Sequence, residues 1–298
     1  MVYNNYNVLK GRKIIIKLKG GLGNQMFQYA FHIFLISKNC NAKFRISKNP
    51  NNFHNGIELE KAFGITLPRT TIIELFKLKI DSFLLKFFQA SLFFNRIIES
   101  DDNCESTQII DEISKNKNNY LDGYFQNESF FKPVKENILS IFKFESQLSK
   151  KQRKTYNMIQ STNSISLHVR RGDYSNHKWR YGKIASLEYY KKSIKYIRER
   201  VKDPVFFVFS DELEWCKKNL HYSSLFFVDC TDCNNSYHDM YLMSQCKHNI
   251  IANSTFSWWA AYLNPNEEKH IIRPNKFVNL DSLHPKNEIY IHNWINIK

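Results

Sequence analysis

Two rhythms of apolar and polar positions run along this chain, and their order predicts its elements. Residues 12–18 are short, β-branched and largely apolar, the pattern of a buried strand, and Gly20, Gly21 and Gly23 behind them mark a turn. From residue 25 to 37 the apolar side chains Met26, Phe27, Ala30, Ile33 and Phe34 recur at helical spacing, so strand, glycine turn and helix follow one another. The middle is less regular. Asn- and Lys-rich stretches at 49–55 and 114–119 read as surface loops, and the polar run 146–164 reads as a domain boundary. Residues 72–98 are rich in Phe, Leu and Ile, but Lys77, Lys79, Asp81, Lys86 and Arg96 interrupt them and exclude a membrane span. An amphipathic helix there would pack on the core, the favoured reading, or lie on a membrane face.

Beyond the boundary the alternation becomes regular. Strands at 164–169, 205–209, 225–228, 249–252 and 270–273 are separated by helices at 186–200, 211–219, 237–245 and 256–263. That order predicts an α/β fold with a parallel sheet, whose ligands bind beyond the carboxyl ends of the strands. The turns at Arg170, Ser210, Asp229 and Asn253 are therefore expected to converge. Two domains are expected, an N-terminal one over 1–155 and a C-terminal one over 156–298.

Composition narrows the partners. The 298 residues, 43% of them hydrophobic, suffice for one or two cores and exclude a fibrous or disordered chain. A net charge of +15 favours anionic partners such as nucleotides, nucleic acid or an acidic membrane, although the lysine excess is equally open to a coding-bias reading. No nucleic-acid-binding motif occurs, and the paired arginines sit at one strand end instead of along a stripe. The polar start lacks the apolar stretch of a secretory leader, so a cytoplasmic protein with six reduced cysteines is expected. Cys230 and Cys233 alone lack the second ligand pair of a structural zinc site.

Chemistry concentrates at two places. In His168-Val169-Arg170-Arg171-Gly172-Asp173-Tyr174 a strand runs into two arginines, whose planar forks match a diphosphate. Strand alternation puts His168 and Arg170 on one side and favours Arg170 as the phosphate ligand, with a structural ion pair as the alternative for each arginine. In Asn253-Ser254-Thr255-Phe256-Ser257-Trp258-Trp259 a strand end enters a helix, offering amides and hydroxyls to an anion or simply a helix cap. Asp211 with Glu214 has capping-box spacing, and Asp239 is either a cap or an acceptor for the N1 and N2 hydrogens of guanine. The glycines at 20–23 lack the third glycine of a dinucleotide fingerprint, and no Asp-x-Asp, zinc or phosphate-loop lysine motif occurs.

Read together, the motif from Gly20 through Gly23, Asn24 and Gln25 to Ala30, the arginine motif, the run 210–216 and the segment from Asp239 to Trp259 resemble the bacterial α1,2-fucosyltransferases of glycosyltransferase family 11. The resemblance implies a GT-B-like fold of two Rossmann-like α/β domains with the nucleotide in the C-terminal one. It implies an inverting transfer from GDP-β-L-fucose to the 2-hydroxyl of a terminal galactose, without a metal or other cofactor. By that similarity His168 and Asp239 read guanine, Arg170 binds the β-phosphate, and Thr255 and Ser257 add phosphate contacts; Arg171, Asp211, Asn253, Ser254 and Phe256 complete the donor site. Gly23, Asn24, Gln25 and Tyr174 fall on the acceptor side. Asp173 is the first candidate for the base, with Arg170 and Asn24 as its catalytic companions. Glu212, Ala260 and His32 depart from the usual pattern. The implied partners are GDP-fucose and a galactose-ended glycan, with peripheral attachment at the inner membrane face compatible with the charge. Another linkage, another GDP-sugar, a nucleic-acid-binding protein or an inactive glycan-binding scaffold are the alternatives.

Overall fold

The computed structural model describes residues 6–47, 55–99, 105–144, 148–172, 180–229, 235–280 and 288–297. Asp173, Tyr174, Cys104, Cys230 and Cys233 lie outside them. The chain forms two compact units, Met1–Lys143 and Phe144–Lys298.

The first unit contains β1 (Lys13–Leu18), α1 (Leu22–Ser37), β2 (Asn41–Ile46), α2 (Leu59–Phe63), α3 (Ile72–Phe88), β3 (Asn95–Ile98), α4 (Ser106–Lys115), β4 (Asn118–Asp122) and α5 (Lys135–Ile141). Its sheet is parallel with strand order β2-β1-β4-β3. The predicted strand, turn and helix are present, but the helix begins at Leu22 because Gly21, in extended backbone, serves as its N-cap. Gly20 sits at φ +83, where a Cβ would come within 2.7 Å of Asn24 Nδ2, so a side chain there is excluded by both conformation and space.

Residues 118 and 119, expected in a loop, open β4 instead. Asn119 is fully buried there and donates to the carbonyls of Ile113 and Asn116, which lets an amide occupy a strand that otherwise buries Tyr120 and Leu121. The segment 72–98 also differs from the core helix expected of it: α3 buries Glu74, Leu78 and Asp81 and leaves its phenylalanines exposed. Among the described residues no helix is long and apolar enough to cross a membrane.

The second unit contains α6 (Lys150–Ser161), β5 (Asn163–Val169), α7 (Leu187–Arg198), β6 (Pro204–Ser210), α8 (Leu213–Asn219), β7 (Leu225–Phe227), α9 (Tyr237–Ser244), β8 (His248–Ile250), α10 (Thr255–Tyr262), β9 (Ile271–Pro274) and β10 (Ile295–Ile297). Its six strands are parallel in the order β10-β9-β8-β5-β6-β7. The polar run expected to hold a boundary is largely α6, closed by a Ser149–Gln152 capping box and packed on β5 and α9.

Strand alternation builds this unit's core. Ile165, Leu167 and Val169 of β5 point to one face, where they meet Tyr190, Ile194 and Ile197 of α7 and Cys216 of α8. Ser164, Ser166 and His168 point to the other. There Asn249 Nδ2 donates to Ser166 Oγ at 2.7 Å and to the carbonyl of Met243, and Asn264 Nδ2 donates to Asn249 Oδ1. This buried amide chain ties β5, β8 and α9 together. Trp258 and Trp259 are fully buried, and Trp258 Nε1 donates to the Ile289 carbonyl, so both are core side chains. Cys40, Cys216 and Cys246 are buried free thiols.

Candidate functional site

The carboxyl ends of β5, β6 and β8 in the second unit carry most of the residues singled out by sequence. His168 is the penultimate residue of β5 and 7% exposed, and its ring lies 5.7 Å from that of Phe256 in the first turn of α10. Its Nδ1 is buried without a hydrogen-bond partner among the described residues. Burial, reinforced by the charge of Arg170, lowers its pKa to about 3, so the imidazole is neutral at physiological pH. A neutral ring with an unengaged nitrogen is suited to a nucleobase edge.

Arg170 and Arg171 lie just past β5, where the strand pattern ends. Arg170 Nη1 stands 3.3 Å from Asp211 Oδ2, and the Arg171 amide donates to Asp211 Oδ1 at 3.0 Å. Arg171 Nε donates to Glu212 Oε2 at 3.0 Å, while its guanidinium lies 3.9 Å above the Trp215 ring. Both arginines therefore have acidic partners from the β6 turn. Arg171 is the more firmly held, clamped between a carboxylate and an indole. Trp215 is the member that sequence reasoning passed over; its signal was its position one turn beyond Asp211 on the next helix.

The predicted Asp211–Glu214 capping box does not form. The Ser210 hydroxyl accepts from the Glu212 amide, and α8 begins at Leu213 without a side-chain cap from Glu212. Asp211 is drawn to the arginines instead. Gly172 belongs to the same knot, since a Cβ there would fall 2.8 Å from Asp211 Oδ2.

The β8 turn divides between structure and surface. Asn253 is 1% exposed and donates to the carbonyls of Tyr181 and Phe277, so its amide anchors flanking loops. Ser254 caps α10 by accepting from the Phe256 amide, and the buried Ser257 hydroxyl donates within its own turn to the carbonyls of Ala252 and Ser254. Thr255, half-buried, is the first residue of α10. Asp239 occupies the first turn of α9, which packs on α10. The expected convergence thus joins the Arg170 and Ser210 turns directly and brings Phe256 to His168. Asp229 is engaged elsewhere, 3.2 Å from Lys151 on α6.

In the first unit, Gln25 is fully buried and bridges three loop positions. Its Nε2 donates to the carbonyls of Gly20 and Gly56, and its Oε1 accepts from the Glu58 amide. Asn24 is half-buried and its Oδ1 accepts from Gln126 Nε2 at 2.7 Å. Gly23 is buried in the same helical turn. His32, the atypical member of the motif, is a core residue whose Nε2 faces the Ala42 carbonyl at 3.0 Å. Among the described residues no three or more His, Cys, Asp or Glu side chains gather as a metal ion would require.

Comparison with known proteins decides the family. The model of glycosyl transferase family 11 matches residues 3–298. The chain belongs to that family. It is 35% identical over 263 residues to an α-1,2-colitosyltransferase of Escherichia coli, covering 84% of this chain and 87% of that protein. It is 30% identical over 310 residues to the Escherichia coli O-antigen biosynthesis glycosyltransferase WbnK, covering 94% and 99%. A galactoside α-(1,2)-fucosyltransferase 1 from Saimiri boliviensis boliviensis matches over 155 residues at 30% identity, 48% of this chain and 42% of that protein. Among solved structures, the NodZ α-1,6-fucosyltransferase soaked with GDP-fucose aligns over 85% of this chain with a TM-score of 0.48 and 15% identity. This family 11 glycosyltransferase therefore combines two parallel α/β units with a knot of arginines and acids at one carboxyl edge, and sequence kinship to bacterial surface-glycan enzymes.

Proposed function

We propose that this glycosyltransferase moves L-fucose from GDP-β-L-fucose to the 2-hydroxyl of a terminal galactose, with inversion and without a metal ion. The observation that carries the reading is the family match across residues 3–298 together with α1,2-specific relatives at 30–35% identity. The site supports it chemically. His168, neutral and buried, and the Asp239 carboxylate recognise guanine. Arg170 meets the departing β-phosphate: a guanidinium has five N–H donors, so Asp211 can orient it and leave others for phosphate oxygens. The first amides of α10 add a positive end at the same edge.

Inversion is a single displacement. The acceptor oxygen forms its bond to the anomeric carbon as the bond to the diphosphate breaks on the opposite face, and the acceptor proton passes to a base. Asp173 is the proposed base, with Asn24 orienting the acceptor. Stabilising charge on the leaving diphosphate supplies most of the rate. In this reading the enzyme works in the cytoplasm on a surface-glycan unit.

Kinship at 35% identity to an α-1,2-colitosyltransferase supports a second donor, a GDP-linked colitose. The test is product formation from GDP-fucose and from GDP-colitose in parallel, with lactose, N-acetyllactosamine and a β1,3-linked galactosyl-hexosamine as acceptors. EDTA is present throughout and the new linkage is assigned by NMR. An α1,2-fucosylated galactose is expected; product from GDP-colitose alone would replace the donor, and absence of product in EDTA that divalent metal in excess of the chelator restores would overturn the metal-free mechanism.

A further inference from the structure

The helix α3 is built inside out. A surface helix normally turns its apolar stripe to the core and its charges to water. Here Glu74 and Asp81 face inward. The Glu74 carboxylate pairs with Lys43 on β2 at 3.0 Å and accepts from the Thr71 amide and hydroxyl, while the Glu74 amide donates back to Thr71 Oγ1. Burial raises the Glu74 pKa, but those partners outweigh it and the carboxyl stays ionised below its usual range. Asp81, 4% exposed, accepts the backbone amides of Leu92, Phe93 and Phe94.

The outward side is correspondingly apolar. Ile72 is 86% exposed, Phe76 64% and Phe88 68%, with Ile73, Phe83 and Phe87 exposed alongside them. At 100° per residue Ile72, Ile73, Phe76, Phe83 and Phe87 form one stripe, opposite Glu74, Leu78 and Asp81. Exposed Lys79 and Lys86 border the stripe on one side and half-buried Lys77 on the other. Both acids of α3 are turned away, so the outward side presents only apolar, cationic and a few neutral polar groups. A stripe about 25 Å long is left facing water, more than scattered surface apolar residues explain.

We propose that this face of α3 seats on an anionic lipid bilayer, with the stripe entering the headgroup boundary and Lys77, Lys79 and Lys86 meeting lipid phosphates. The charges decide the occupant. In a two-fold pair of chains the bordering lysines would meet one another, with no acid of α3 on that side to answer them, and a net charge of +15 opposes self-association further. Against an anionic surface the same lysines are attractive, and their long stems let the phenylalanines enter below them.

The test is sedimentation of the full chain with vesicles of phosphatidylcholine alone and of phosphatidylcholine mixed with phosphatidylglycerol, beside analytical ultracentrifugation without lipid. Binding to the mixed vesicles is expected, weakened by salt. The triple variant F76S/F83S/F87S should lower partitioning roughly tenfold or more. Lys79→Gln and Lys86→Gln should each lower it roughly fivefold on the anionic vesicles only. Because these side chains are exposed, melting temperatures should stay within about 2 °C of the wild type, separating lost docking from lost folding. Wild-type chain left in the supernatant with both vesicle types overturns the proposal, as does a triple variant that binds like wild type. A wild-type dimer dissolved by the triple substitution assigns the stripe to a second copy and equally overturns it.

Discussion

Arg170 Nη1 stands 3.3 Å from Asp211 Oδ2, and this contact ties the end of β5 to the end of β6. The pair is partly exposed, so its contribution to stability is modest, on the order of 1 kcal/mol or less. Its importance lies in aim: a flexible cation is held at the carboxyl edge of the sheet. Arg170→Ala should therefore leave the fold intact and weaken GDP roughly ten- to a hundredfold, the worth of charge-assisted hydrogen bonds to phosphate. Calorimetric titration with GDP checks this, and turnover should be abolished. Unchanged affinity would remove Arg170 from the phosphate site.

Arg171 should behave differently. Its Nε bond to Glu212 and its stacking on Trp215 make it a brace of the edge. Arg171→Lys keeps the charge but loses the planar fork and most of the stacking. A fall in stability of about 1 kcal/mol is expected, with a smaller loss of GDP affinity than Arg170→Ala gives. Urea unfolding and GDP titration on both variants separate the two roles.

Gln25 joins Gly20, Gly56 and Glu58 through a wholly buried amide. Replacing it by leucine preserves volume but strands a donor and two acceptors in the interior. A destabilisation of about 3 kcal/mol is expected, read as a lower urea midpoint. Gln25 would then act on the reaction only through the fold, and a stable Gln25→Leu chain lacking turnover would instead mark contact with the acceptor.

Three buried histidines make the protein acid-sensitive. Burial lowers His32 and His248 to about 4 and His168 to about 3, against 6.5 for the free side chain. His248 Nδ1 also accepts from the His270 amide, which requires that nitrogen unprotonated. Between the folded and unfolded values the unfolded chain binds more protons, so stability is present above pH 6.5 and is lost as pH falls towards 4. The slope approaches about 1.4 kcal/mol per pH unit for each histidine within its window. Melting temperatures from pH 7 down to 4.5 should fall, and His248→Asn should flatten the curve.

The second unit was legible because its central strands are apolar: Phe206 to Phe209 on β6 and the alternating Ile165, Leu167 and Val169 on β5 leave little ambiguity. Beyond β1, the first unit's sheet was not, because β2 carries Lys43 and Arg45 and β4 opens with two asparagines. Those polar groups are satisfied by partners distant in sequence, Lys43 by Glu74 and Arg45 by the Tyr120 hydroxyl, and spacing cannot reveal such partners. The same holds at the site. Spacing alone offered Asp211 as a helix cap because Glu214 stood at the right interval, whereas the Arg170 guanidinium and the Arg171 backbone amide, distant in sequence, take its carboxylate.

Along α3, what holds the helix and what the helix shows are carried by different residues. Glu74, Leu78 and Asp81 secure it, so changes on its outer side bring almost no penalty in stability. Such a surface is free to drift under selection for its surroundings alone. Descendants of this chain could be retuned for a different cellular location by a few outward substitutions, while the arginines and acids of the second unit stay unchanged.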